Sequence, residues 1–271
     1  MRDQVKSKSG KRSSIGRRIR SAVGYALAGA LLVTGGWLVG EFQNRSDYVY
    51  ADTPTSTLTD QLTTEKVMVV GGSMAHGWKD PNNDGYIKRA FQALNNATNT
   101  NYVYDDRTQP GASPTWAEGK FQSWLDSDHP QIVVISWGLL NDVYAKTPMD
   151  EFSQAIQDEI QESLAANAVV VFVTSPVTKA TATYNHGPVE RYIHTEEAIA
   201  DSFHSPNVYF IDLNQDMATY LKAHGQTWQN YYGDSWHPDS AGHELAGELL
   251  FDDWIQTFGT GPVTWQSTNA N

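Results

Sequence analysis

Hydrophobic and polar positions along this chain fall into two regimes. From Lys66 onward short apolar runs alternate with segments of helical periodicity. Lys66 to Val70, Tyr102 to Asp105, Ile132 to Ser136, Ala168 to Thr174 and Val208 to Ile211 read as strands, the most apolar being Ala168 to Thr174. Between them, Gly85 to Asn95 repeats apolar residues at Ile87, Phe91 and Leu94, and Met149 to Ala166 does so at Phe152, Ile156, Ile160 and Leu164. Pro114 to Leu125, opened by Ser113 as cap, Val189 to Phe203, and Ser240 to Phe258 complete the predicted helices. Strands in alternation with helices predict an α/β fold, a three-layer α/β/α sandwich around a mainly parallel sheet. Chemistry in such a sheet belongs at the carboxyl ends of its strands.

The first forty residues follow another pattern. Lys6 to Arg20 is basic, and Ser21 to Gly40 then runs twenty residues without a charge. A helix of that length spans about 30 Å, the thickness of a hydrocarbon core. Tyr25 and Trp37 lie towards its two ends, where amphipathic rings favour the interface. The expected organisation is a basic cytoplasmic segment at 1–20, a membrane anchor or uncleaved signal at 21–40, and a Thr/Ser-rich linker at 41–64. A folded domain at 65–258 and a flexible tail at 259–271 follow. The positive-inside rule puts the domain on the outer side of the membrane, or in the medium if the segment is cleaved near Val49-Tyr50-Ala51.

Charge sharpens this division. The net charge is −12, but residues 1–40 hold eight Lys or Arg and only one acid. The remainder carries 11 bases against 30 acids, a net of −19. So acidic a body excludes nucleic acid as a partner, because phosphate neutralisation needs clustered cations. The chain has no cysteine, which excludes thiol catalysis and thiolate metal sites. No Gly-rich nucleotide loop is present. Asp80-Pro81-Asn82-Asn83-Asp84-Gly85 begins like a calcium loop, but Phe91 stands where the bidentate acid belongs, so a solvated turn is expected. No metal and no cofactor is expected.

Four polar motifs fall at the predicted strand ends. Gly71-Gly72-Ser73 follows the first strand; a helix beginning at Ser73 would aim its amide at a developing oxyanion. Asp234-Ser235-Trp236-His237 precedes the last helix, a spacing that lets the carboxylate orient the imidazole within one turn. His243 is the nearest rival base, without an acid at that spacing. Asn141 follows the third strand and Gly111 the second; a side-chain amide and an unhindered backbone N–H are both able to donate to an oxyanion. Trp78, Trp116, Trp137 and Trp236 each lie within five residues of a motif residue, as pocket walls or as core.

In this order, and over about 66–258, the motifs resemble those of the SGNH (GDSL-like) hydrolases. Gly71-Gly72-Ser73-Met74 is similar to the family's G-D-S-L box, Gly111 to its glycine block, Asn141 to its asparagine block, and Asp234 with His237 to its D-x-x-H block. The resemblance implies a flavodoxin-like fold and a serine esterase. Ser73, Asp234 and His237 would form its triad, and Ser73, Gly111 and Asn141 its oxyanion hole. It implies acylated small molecules or glycans as substrates. An O-acyltransferase of the same fold and a catalytically weak surface binding module are the alternatives. Two departures stand out: Gly72 replaces the usual acid, and two residues separate Gly138 from Asn141 where one is commoner.

Overall fold

The computed structural model describes residues 62–81 and 84–267. The expected basic segment and membrane span, nearly all of the linker, and the last four residues lie outside them. Among the described residues no helix is long and apolar enough to cross a membrane.

Five strands, β1 (Thr63–Gly71), β2 (Thr100–Asp106), β3 (Ile132–Ser136), β4 (Val169–Val173) and β5 (Val208–Ile211), form one sheet in the order β2-β1-β3-β4-β5. Every pairing is parallel. The three inner strands carry the apolar runs. β3 and β4 are buried along their whole length, and so are Val67–Val70 of β1, because helices cover both faces and leave no side for a polar alternation. β2 and β5 form the edges and are only partly covered.

Against one face pack α1 (Gly85–Ala97) and the last helix, α9 (Ser240–Phe258). Their seam is aromatic: Trp254 meets Phe91 edge-on at 4.9 Å and Tyr102 at 6.0 Å between ring centroids. Removing so enclosed an indole costs about 3–5 kcal/mol. On the other face α5 (Met149–Ala165) packs against β4 and against α7 (His186–Ser202), with Phe152 and Tyr192 in edge contact at 4.7 Å.

The helix expected over Pro114 to Leu125 is two shorter ones, α2 (Pro114–Ala117) and α3 (Phe121–Asp128). Gly119 breaks it at φ +71°, a left-handed conformation that a continuous helix excludes. α4 (Leu140–Ala145) and α6 (Lys179–Ala182) are too short to show a period, whereas α8 (Leu213–Ala223) has one, in Leu213, Met217 and Leu221. The tail expected to be loose is held as far as it is described. Val263 is buried and its N–H donates to Glu65 at 3.1 Å, while Gln266 and Asn207 exchange hydrogen bonds of 2.8 and 2.9 Å.

The strand order reverses between β1 and β3, with β2 to one side and β4 and β5 to the other. The crevice outside the carboxyl ends of those two strands is where a doubly wound sheet offers its site.

Candidate active site

β1 ends at Gly71, and Ser73 follows at the crevice. No helix starts there; α1 begins at Gly85, where the periodicity places it. Residues 73–79 instead form successive turns, closed by the His76 N–H to Gly72 O at 3.1 Å and the Trp78 N–H to Ser73 O at 2.9 Å. An α-helical macrodipole is therefore absent from this loop, and any oxyanion help from Ser73 is that of its own N–H, which has no partner among the described residues.

His237 reaches the same place from the far end of the chain. A tight loop carries it: Tyr232 bridges Pro238, and Gly233 and Asp234 both donate to His237 O, at 3.2 and 3.0 Å. A Cβ on Gly233 would stand 2.6 Å from Pro238 O, so the loop closes this tightly only with glycine. α9 starts directly behind it, capped by Asp239 accepting from the Gly242 N–H at 2.9 Å.

The three expected triad residues meet. Ser73 Oγ lies 2.7 Å from His237 Nε2, and His237 Nδ1 lies 2.8 Å from Asp234 Oδ1. The network is consistent with one tautomer, Nδ1–H donating to the carboxylate and Nε2 accepting from the serine hydroxyl. Partial burial of Asp234 opposes its ionisation. The Trp236 N–H at 2.8 Å, the imidazole and the His237 N–H at 2.9 Å overcome that and hold its carboxyl below the ordinary carboxylate range. All three donors meet Oδ1; Lys79 Nζ stands 3.8 Å from Oδ2. Burial also pushes the His237 imidazole below its usual value against the pull of Asp234, and the Lys79 charge adds to the drop. A neutral imidazole with a free lone pair is what a base for serine needs.

Asn141 lies in the first turn of α4, beyond β3, and its Nδ2 donates to Ala112 O at 2.8 Å. A Cβ at Gly72 would point into this corner, 3.4 Å from Ala112 O and 3.5 Å from Asn141 Nδ2. The missing acid of the G-D-S-L box therefore leaves space beside Asn141, and a backbone carbonyl holds the amide instead. An amide nitrogen carries two hydrogens, so one remains to donate. Gly111 adopts φ +83°, a conformation side chains resist, and its N–H has no partner among the described residues. Ser73 and Gly111 in loops and Asn141 at the start of α4 thus offer three N–H groups beyond the carboxyl ends of β1, β2 and β3.

His243 is no rival base. It is buried, stacked against Tyr86 at 6.2 Å, with Nε2 at Trp78 O, and burial holds its imidazole below the usual range. The four tryptophans divide. Trp78 stands 6.3 Å from the His237 ring and Trp236 lies within the triad loop, but Trp137 is core, donating to buried Glu159 at 3.0 Å, and Trp116 stacks on Lys120 and Trp124. Asp80 is buried and bound to Arg89 at 2.9 Å and Ser240 at 3.0 Å, which ties α1 to α9 beneath the site. Among the described residues no group of three metal-binding side chains is arranged to hold an ion.

Sequence reasoning missed Lys79, a lone base whose fold across to Asp234 no spacing announces. It also missed a buried acid group behind Asn141, formed by Asp142, Glu159 and Glu196. Burial raises all three, Asp142 to about 6.

A parallel doubly wound sheet with a serine, an imidazole and a carboxylate linked in series at its switch point defines a serine hydrolase architecture. The GDSL-like lipase/acylhydrolase family model matches residues 69–245, and the chain belongs to that family of serine ester hydrolases. Among solved structures it is similar to Axe2, an acetylxylan esterase from Geobacillus stearothermophilus, with 16% identity over 77% of this chain and 100% of that one and a TM-score of 0.59. The psychrotrophic esterase EstA from Pseudoalteromonas sp. is similar too, with 17% identity over 71% of this chain and 99% of that one and a TM-score of 0.54. At such identities the likeness is one of fold. No curated protein sequence matches the chain.

Proposed function

We propose that this chain cleaves carboxylic esters by double displacement at Ser73, and that its substrates carry their acyl groups on carbohydrates or cell-wall polymers outside the membrane. The observation that carries the mechanism is the hydrogen-bonded series from Ser73 Oγ through His237 to Asp234, 2.7 and 2.8 Å long. Ser73 Oγ attacks the acyl carbonyl while its proton passes to His237 Nε2. The carbonyl oxygen gains the charge and takes hydrogen bonds from the Ser73 and Gly111 N–H groups and the Asn141 amide. The ester C–O bond breaks, and the proton on Nε2 goes to the departing alcohol oxygen. Water then gives a proton to Nε2 as its oxygen attacks the acyl-serine carbonyl carbon; the C–Oγ bond breaks, Nε2 returns that proton to Ser73 Oγ, and the carboxylic acid leaves. Asp234, kept ionised, stabilises the imidazolium in both halves.

Gly72 does not favour the weak binding module: the triad is in hydrogen-bonding register and Asn141 is held by Ala112 without an acid at that position. The likeness to an acetylxylan esterase, together with exposed aromatic rings beside His237, supports acylated glycans. The uncharged run at 21–40 after a basic segment supports an anchored domain on the outer side. Incubation with short-chain aryl esters and a serine-directed organophosphate tests the chemistry. Turnover and stoichiometric labelling at Ser73, both lost in Ser73→Ala, are expected; labelling that persists in that variant defeats the assignment. Protease treatment of intact cells tests the location, and a fully protected domain would overturn it.

A further inference from the structure

The rings around the triad are exposed in a way the core does not require. Trp78 is 46% exposed and Tyr144 79% exposed. The backbone under Trp78 is pinned at both ends, its N–H to Ser73 O at 2.9 Å and its O to His243 Nε2 at 3.2 Å, so the indole is presented from a fixed base. Tyr144 lies on α4 three residues after Asn141, a spacing that puts both on the same side of the helix. Its ring meets Trp236 edge-on at 5.8 Å, and the Trp236 N–H donates to Asp234. An aromatic pair, the exposed Tyr144 against the half-buried Trp236, thus joins the loop carrying acid and base to the helix carrying Asn141. A second pair, Trp228 and Tyr232 at 5.7 Å, stands beside the same loop, where Tyr232 bridges Pro238.

Resting on the ester-hydrolase reading, we propose that Trp78, Tyr144 and Trp236 form a stacking subsite for the sugar ring that bears the ester, and that the substrate is an O-acylated neutral glycan. Pyranose rings present flat C–H faces bounded by hydroxyls. They match aromatic faces that polar groups interrupt, and here Lys79, next to Trp78 in the chain, stands 3.8 Å from Asp234, which accepts from the Trp236 N–H, while Asn141 shares α4 with Tyr144. A lipid chain demands a continuous apolar wall, which this alternation does not supply. The net charge of −19 beyond residue 40 repels a polyanionic glycan or an anionic headgroup. Trp228 and Tyr232 extend the rim for a neighbouring sugar.

The test uses the full chain with partially acetylated xylo-oligosaccharides and, as an acetyl ester without a sugar, ethyl acetate. Trp78→Ala and Tyr144→Ala should each raise KM for the oligosaccharide about tenfold, the scale of a truncated aromatic anchor. Their loss in kcat/KM on ethyl acetate should be several times smaller, and Trp78→Tyr should recover most of the oligosaccharide activity. Equal losses on both esters, or none on the oligosaccharide, would overturn the subsite. So would a selective loss on a long-chain ester in micelles. Binding of the acetylated oligosaccharide to Ser73→Ala, read by tryptophan fluorescence with and without Tyr144→Ala, separates the two ideas. If Ser73 takes no organophosphate and neither ester is cleaved, the hydrolase reading falls. An unchanged affinity in the double variant removes the subsite even in a competent esterase.

Discussion

Asp234 and Asp142 stand close to the same chemistry and are treated in opposite ways. Asp234 is three residues from His237, 36% exposed on its side chain, and met by three donors on one oxygen. Asp142 adjoins Asn141, is fully enclosed, and neither of its oxygens has a well-formed hydrogen bond; Thr147 gives only partial relief. Burial lifts its carboxyl to about 6, while Asp234 is held below the ordinary range. Glu159 and Glu196, also buried, are raised as well, first by desolvation; Glu162 and Asp142 add to the rise of Glu159, and Asp142 and Glu159 to that of Glu196. The contrast shows that proximity to a catalytic group does not assign a role. A carboxylate works as a charge where donors replace the water it has lost, and otherwise burial makes its ionisation costly.

The sharpest way to break the comparison is Asp234→Asn. An amide keeps the shape but favours the wrong imidazole tautomer, and kcat should fall about 10⁴-fold with little change in fold. A loss below tenfold would mean that the charge of Asp234 is not used. Asn141→Ala comes next. Losing one oxyanion donor costs about 2.7–4 kcal/mol of transition-state stabilisation, roughly 10²–10³ in kcat. An unchanged rate would remove the amide from the mechanism.

Asp142→Asn tests the other side. The native pKa of about 6 lies above the unfolded value near 3.8, so the folded state loses stability as pH rises from about 4 through 6. The loss above that window is on the order of 3 kcal/mol. In thermal melts from pH 4 to 8, the melting temperature of the variant should fall less than that of the parent. Parallel curves would show that Asp142 does not titrate in this window. The smallest effect belongs to Lys79→Met. Removing a cation beside Asp234 raises the His237 pKa, so the acid limb of the kcat/KM profile moves to higher pH. Lys79 and Asp234 are both more than a third exposed, and the shift should be under about one unit and shrink with added salt. A shift to lower pH would reverse the assigned sign.

Much of the scaffold is legible without coordinates because it rests on local pattern. The full burial of β3 and β4 follows from unbroken apolar runs, and α5 and α9 from long amphipathic periods. Gly119 could have announced the break between α2 and α3, and Asp212 the start of α8, whose Gln215 N–H it accepts. α4 and α6 hold too few turns to reveal a period.

The site divides in the same manner. Ser73, Asp234, His237, Gly111 and Asn141 were nameable because each motif is short and sits at a strand end or before a helix. Their meeting, however, depends on parallel strands bringing residues 164 positions apart to 2.7 Å, which no local signal encodes. Only the tertiary structure decided that Ala112 O holds Asn141 in place of an acid at Gly72, and that Lys79 turns to Asp234. It alone separated Trp78 and Trp236 at the rim from Trp137 in the core. The physical reason is common to all of these: residue type and spacing specify a side chain's chemistry and the face of its own element, whereas its exposure and its partners depend on which distant elements pack beside it.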